Sequence, residues 1–258
     1  MDGLTRGDHR SAGPHGAPAT QHPGALLSGD APSPAVSELV RDLGRPAGTD
    51  EAVARVLDRA LQVPGARHAT VSLTARRRPT ATTATGAVGR AFDELQRTLG
   101  EGPSLDAQAG HDTLRVDDLP TERRWPALAA RWQETGVRSA LVLPLSVPGH
   151  ELGVLGLLSG ERAAFDDEAE RWGLLVAGWG AVAVSVASQV EGLQLANANR
   201  TVIGQAEGIL MERFKVDADE AFALLARTSQ DLNRKLFAVA EDVVRTGEVP
   251  GGRGSRRR

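Results

Sequence analysis

The chain has 258 residues, 41% of them hydrophobic, which is enough to bury the core of one large domain or two small ones. It contains no cysteine, which excludes disulfides, thiolate metal sites and cysteine nucleophiles. A formal net charge of −3 excludes a global positive field, so any nucleic-acid binding needs a local patch.

Residues 1–33 are rich in Gly, Pro, Ala and His without an apolar period and read as a disordered arm; His9, His15 and His22 are too irregularly spaced for a metal site. No basic stretch followed by an apolar one opens the chain, so no signal peptide is expected. From Pro34 the pattern is helical. In "DEAVARVLDRALQV", Val53, Val56, Leu57 and Ala60 share a face, and Asp50 is the expected N-cap. "HATVSLT" alternates and is β-branched, the pattern of a strand, and "ATTATGA" follows as a second. "GRAFDELQRTLG" predicts a helix stopped by Gly100, "TLRVDDL" a strand entering a turn at Pro120, and "RWPALAARWQETG" a helix stopped by Gly136. "RSALVLPLSV" and "ELGVLGLLS", separated by "PGH", predict a hairpin. Both strands are almost continuously apolar and belong in mid-sheet with both faces covered.

A long helix is expected from Glu168 to Phe214, capped by Asp166 or Asp167. Its most apolar run, "WGLLVAGWGAVAVSVA", falls just short of the roughly 18 residues that span a bilayer, so no membrane segment is expected. Val182, Val186, Leu193 and Ile203 form a partial heptad seam broken by Gln189 and Arg200, which predicts a parallel homodimer. "DADEAFALLARTS" carries Asp217 and Glu220 at capping-box spacing. "DLNRKLFAVAEDVVRTG" places Leu232, Leu236, Val239 and Val243 on one face and ends at Gly247. The expected domains are the arm (1–33), a sheet domain (34–187), a three-helix domain (188–249) and a basic tail (250–258).

Catalytic constellations are missing. His68, His111 and His150 stand alone, and no phosphate-binding loop or nucleophile elbow is present. Asp117-Asp118 and Asp166-Asp167 sit at the end of a strand and the start of a helix, where carboxylates have local structural uses. The chain reads as a non-enzyme with no metal or resident cofactor.

The C-terminal stretch "RTVIGQAEGILMERFKVDADEAFALLARTSQDLNRKLFAVAEDVV" resembles ANTAR domains, three-helix RNA-binding antitermination modules of bacterial regulators. The run Ile203, Gln205, Ala206, Gly208, Ile209, Leu210 and Met211 carries the likeness, with Ala221-Phe222, Ser229, Asn233, Lys235-Leu236 and Val239-Ala240. Glu207 departs from the basic residue often found there. The preceding block is similar to the GAF domains that precede ANTAR domains in actinobacterial proteins. It carries "LGEGPSLDA", "VDDLPTERRWPALA" and "GVRSALVLPLSV". This resemblance implies an α+β fold: an antiparallel sheet flanked by helices, with a pocket for an unknown small molecule, joined by the long helix to three C-terminal helices. Ser104 stands where relatives often have Cys, which removes thiol sensing there.

Gly204 and Gly208 lie together beside the stripe of Ile203, Ala206, Leu210 and Phe214, leaving a shallow groove for a neighbouring helix or an RNA backbone. Between Arg200 and Glu248 there are seven basic and nine acidic residues, so cations must segregate. Arg227, Arg234 and Lys235 gather around Ser229, Gln230 and Asn233, a mixture suited to phosphates, base edges and 2′-hydroxyls. With Gln205, Ala206 and Gly208 from the resemblance, these are the candidate RNA contacts. Phe214 and Phe222 fall on core stripes and Phe237 at a stripe's edge. The reading is a cytoplasmic RNA-binding antitermination regulator that engages hairpins in nascent transcripts under control of the GAF-like domain. The alternatives are a DNA-binding regulator and a signalling scaffold without nucleic acid.

Overall fold

The computed structural model describes residues 34–45, 48–75 and 78–251. The arm expected over 1–33 and the end of the basic tail, 252–258, lie outside these. The order is α1 (Pro34–Leu43), α2 (Thr49–Ala60), β1 (His68–Ala75), β2 (Arg78–Ala84), α3 (Ala87–Leu99), α4 (Pro103–Gly110) and β3 (Leu114–Val116). There follow α5 (Pro126–Ala130), β4 (Ser139–Val147), β5 (His150–Ser159), α6 (Asp167–Phe214), α7 (Ala218–Asp231) and α8 (Leu236–Thr246).

The five strands form one antiparallel sheet in the order β2-β1-β5-β4-β3. Side chains alternate across a strand, so register decides what each face buries. Val71 pairs with Leu155, which pairs with Leu143; Ala69 pairs with Leu157, which pairs with Leu141. These residues enter one core with α1, α2 and the first part of α6, including Val56, Val176, Ala181 and Val184. Their neighbours Ala140 and Leu158 face the other side, where Phe92 and Leu95 of α3, Trp125 just before α5 and Leu128 of α5 build a second core. The unbroken apolar runs of β4 and β5 therefore feed two layers. Gly149, at φ +75, turns the hairpin between them as expected.

α6 runs for 48 residues, about 72 Å at 1.5 Å per residue. Asp166 caps it, accepting from Ala169 N–H at 2.9 Å. Its length and composition alone would let it cross a bilayer. Its residues Ala169, Gly173, Val176, Ala177, Gly180, Ala181, Val184 and Ala187 are buried, which identifies this part as a core helix. From Ser188 to Arg200 all but one residue is exposed. Then Ala206 and Leu210 join Ala221 and Leu225 of α7 and Val239, Ala240 and Val243 of α8 in a small third core.

Several expectations are corrected. α2 begins at Thr49 after Gly48, and Asp50 does not cap it. The cap comes from Glu191 on α6: its carboxylate accepts from Thr49 N–H at 2.9 Å and Thr49 Oγ1 at 2.6 Å. The single helix expected over Arg124–Gly136 stops at Ala130 and gives way to a 3-10 turn over Trp132–Glu134. α4 was not foreseen. Leu232 lies in the turn before α8 and is exposed. Ile203 packs on the third core instead of continuing a seam. Phe214 and Phe222, expected in the core, are 50% and 45% exposed.

Candidate nucleic-acid interface

The three C-terminal helices are set by local chemistry. α7 starts with a full capping box: Asp217 accepts from Glu220 N–H at 2.8 Å, and Glu220 accepts from Asp217 N–H. α8 ends at Gly247, at φ +72, and the Arg213 guanidinium at the end of α6 donates to its carbonyl. Between α7 and α8 the chain turns on itself. Asn233 adopts φ +48, a left-handed conformation that asparagine tolerates better than most residues. Arg234 N–H donates to the Ser229 carbonyl at 3.0 Å, and Ser229 Oγ donates to the Arg234 carbonyl at 2.6 Å. This reciprocal pair closes residues 229–235 into one corner.

The structure sorts the nine candidate residues. Gln230, Asn233, Arg234 and Lys235 stand together, exposed, at that corner, and Arg227 lies one turn before it. Gln205 and Gly208 are exposed on α6. Ala206 is fully buried in the third core, so its side chain has a packing role and cannot reach a ligand. The Ser229 hydroxyl is spent within the turn. Arg234 is held by Asp242 at 2.7 Å, and Asp242 also takes Arg245 at 2.7 Å. Hydrogen bonds from Arg245 and then Arg234 hold the Asp242 carboxyl below the usual carboxylate range. Arg213 and Lys215 are likewise paired, with Glu248 and Glu212. Among the described residues of this region, Arg200, Arg227 and Lys235 form no ion pair. Charge counting could not separate these three from the other four basic residues, because the partners lie on neighbouring turns and helices.

Gly204 and Gly208 face open space: a Cβ at either would meet nothing within 4 Å. Among the described residues no helix packs against them, and the groove they leave is open there.

In the sheet domain the three quoted sequence words prove to be bonded to one another. Trp125 Nε1 donates to Asp106 at 2.8 Å, Leu128 N–H to Glu101 at 2.9 Å, and Arg138 Nε to Asp118 at 2.8 Å. The Arg124 guanidinium stacks over Trp125 at 4.4 Å and, with hydrogen bonding foremost, pulls the Glu122 carboxyl down to about 2. Asp118 thus serves a structural ion pair, Asp166 a helix cap and Asp167 a contact to Arg115 at 2.8 Å. No group of three or more metal-ligating side chains occurs among the described residues.

Two family models match the chain, a GAF domain over residues 46–185 and an ANTAR domain over 191–244. This chain belongs to the GAF-domain family and carries an ANTAR domain behind it. The comparison with curated proteins gives no match. Among solved structures, the chain is similar to the GAF domain of a phosphoenolpyruvate-protein phosphotransferase from Coxiella burnetii. Identity is 17%, over 61% of this chain and 94% of that one, with a TM-score of 0.49. It is also similar to a domain of a sensor histidine kinase protein from Sinorhizobium meliloti 1021. There identity is 14%, over 57% of this chain and 98% of that one, with a TM-score of 0.47.

Within the GAF domain, the space between the sheet and α3 and α4 holds a buried polar network. Asp93 accepts from Ser72 Oγ at 3.0 Å and Gln96 Nε2 at 3.2 Å; Gln96 Oε1 accepts from Ser104 N–H at 2.8 Å. Burial pushes the Asp93 carboxyl up, against hydrogen bonds from Ser72, Thr70 and Ser104 that pull it down. Ser104, singled out in the sequence for replacing Cys, is a buried member of this network. A separate groove of about 1250 Å³ opens at the end of the sheet, where Leu105, His111, His150 and Leu152 meet Val184 and Ser188 of α6.

Proposed function

We propose that this chain is a regulator that binds RNA hairpins through its ANTAR domain, under control of a signal received by its GAF domain. The ANTAR match supplies the class of partner. The observation that carries the reading is the exposed corner of Gln230, Asn233 and Lys235, with Arg227 one turn before it and its guanidinium not committed to an ion pair. Cations of this kind take phosphates, and the amides take base edges in an unpaired loop. Binding to a nascent transcript would hold it in the fold that prevents termination.

An exposed apolar stripe of α6, running from Trp179 into the exposed segment, suits a second copy of the chain. Trp179, Val182, Val186, Val190 and Leu193 form a stripe at near-heptad spacing, each at least 41% exposed. A parallel dimer along this stripe would bury it and present two ANTAR heads, so that avidity adds to the affinity of each. The Glu191–Thr49 contact joins the GAF domain to α6 where the exposed segment begins, and the groove beside Val184 and Ser188 offers a signal molecule a contact with the same helix.

A gel shift with the full chain tests the reading, using an RNA hairpin with an unpaired loop and a DNA hairpin of matched sequence. RNA is expected to bind more tightly. The double variant Arg227→Ala, Lys235→Ala should weaken hairpin binding at least tenfold and lower the salt slope by about 1.5, as two lost phosphate contacts require. Unchanged affinity and slope in a folded variant would remove the corner as the interface. Preference for DNA would replace RNA by the alternative regulator class.

A further inference from the structure

From the corner at 229–235 a strip of cations runs on along α8, and one anion sits inside it. Asp242 accepts from Arg234 Nη1 on Oδ2 and from Arg245 Nη2 on Oδ1, both at 2.7 Å. Arg234 belongs to the corner. Arg245 lies in the last turn of α8, about 15 Å along the helix from Lys235. All three side chains reach solvent, Arg245 with 73% of its surface. Arg234 has a second tether that does not depend on Asp242, from Nη2 to the Ala238 carbonyl at 3.3 Å. The two arginines pull the Asp242 carboxyl below its ordinary range, so at neutral pH it is charged and cancels one of their two positive charges. Glu241, its neighbour in the chain, is exposed and forms no ion pair among the described residues.

Two guanidiniums on the oxygens of one anion is also how proteins hold a phosphate. Here the anion comes from the chain itself. We propose that Asp242 is an internal competitor for the phosphates of the hairpin: it occupies Arg234 and Arg245, and its removal gives the RNA two further cations. The proposal rests on the RNA reading of the ANTAR domain and deepens it by naming the residue that limits its strength. Phosphate contacts carry no sequence information, and sequence-independent binding is almost wholly electrostatic. A competitor for two such contacts weakens binding to any RNA. It leaves the amides of Gln230 and Asn233, exposed at the corner, a larger share of the affinity that remains.

The test is binding of a labelled RNA hairpin with an unpaired loop to the full chain, read by fluorescence anisotropy between about 50 and 200 mM salt. The proteins are the parent, Asp242→Asn and Glu241→Gln. Asparagine keeps the shape of the side chain and removes its charge, and exposed ion pairs add little to folding, which circular dichroism checks. Asp242→Asn should bind about tenfold more tightly at low salt and steepen the salt slope by about 1.5, the mark of two added phosphate contacts. The rise in salt should then erase about eightfold of that gain. Glu241→Gln makes the same change in net charge and should shift affinity by less than about twofold, since an exposed charge without a partner is screened. Adding Arg245→Ala to Asp242→Asn should remove about half of the added slope. Equal gains in the two single variants would assign the effect to the overall field of the domain and overturn the proposal. So would unchanged or weaker binding by folded Asp242→Asn. If the parent binds no hairpin, the RNA reading falls and this inference with it. If Arg227→Ala, Lys235→Ala loses affinity while Asp242→Asn does not move, that reading stands and this one alone fails.

Discussion

α6 contains six glycines, and its two ends use them in opposite ways. In the GAF half, a Cβ on Gly173 would stand 2.6 Å from Leu143 Cδ1, and one on Gly180 would stand 2.7 Å from Val56 Cγ2. These glycines let the helix lie against the sheet and α2. In the ANTAR half, a Cβ on Gly204 or Gly208 would meet nothing within 4 Å among the described residues, and the same holds for Gly192 in the exposed segment. A glycine inside a helix costs about 1 kcal/mol relative to alanine. At Gly173 and Gly180 the GAF half recovers that cost in its own packing; at Gly178, which faces open space, it does not. At Gly204 and Gly208 nothing among the described residues uses the space the glycines leave, so whether a partner uses it is a matter for binding measurements.

The sharpest way to break this contrast is to fill both kinds of position. Gly180→Val places a branched side chain against Val56, which is fully buried and has no room to move. Urea unfolding should show a loss of about 1–3 kcal/mol, the usual range for an overpacked core. Gly178→Ala, two residues away and facing open space, should instead gain about 0.5–1 kcal/mol. Equal responses at 178 and 180 would mean that packing does not distinguish the two.

The next effect is on binding. Gly208→Ala should stabilise the helix by about 1 kcal/mol in the free protein. Gly208→Leu should also fold, since nothing lies within 4 Å, yet lose about tenfold in hairpin affinity if an RNA backbone approaches there. Full affinity in the leucine variant would leave these glycines without a ligand-facing role.

What the sequence could disclose follows the same division between local and distant causes. Periodicity, the capping box of α7, the cap of α6 and the stops at Gly100 and Gly247 are written within a few residues of where they act, and the structure has each of them. The cap of α2 was misread because its carboxylate comes from Glu191, 142 residues later. α4 escaped notice because "PSLDAQAG" has no apolar period; it is held by the Gln96 contact to Ser104 N–H and the Asp106 contact to Trp125. Phe214 and Phe222 were placed in the core because a stripe on a wheel implies a neighbour, yet a three-helix head has too few helices to cover every stripe. The corner at 229–235 was legible as a cluster of residue types. Which of its cations are spent on Asp242 was not, because that depends on how α8 turns back past the corner.

The smallest effect concerns two carboxyls that the halves treat in opposite ways. Asp242, on the surface between two arginines, is pulled below its ordinary range, whereas Asp93, buried among neutral donors, is pushed above it. For Asp93 the native state binds its proton more tightly than the unfolded chain does. Its contribution to stability is therefore full at pH below the ordinary carboxylate value and is lost as pH rises through the higher native value. Asp93→Asn keeps a side-chain carbonyl to accept from Gln96 and removes the charge, while the Ser72 hydroxyl can turn to accept from the new amide. Relative to the parent chain the variant should be at a disadvantage or level in acid, and should gain by about 1 kcal/mol by pH 8, where an ionised Asp93 would stand buried with Arg97 the weakest of the influences that favour its charge. Thermal unfolding of both proteins across this range measures the difference. A gap that stays constant with pH would mean that Asp93 does not titrate within it, and that the network under α3 and α4 holds the charge as comfortably as the surface holds Asp242.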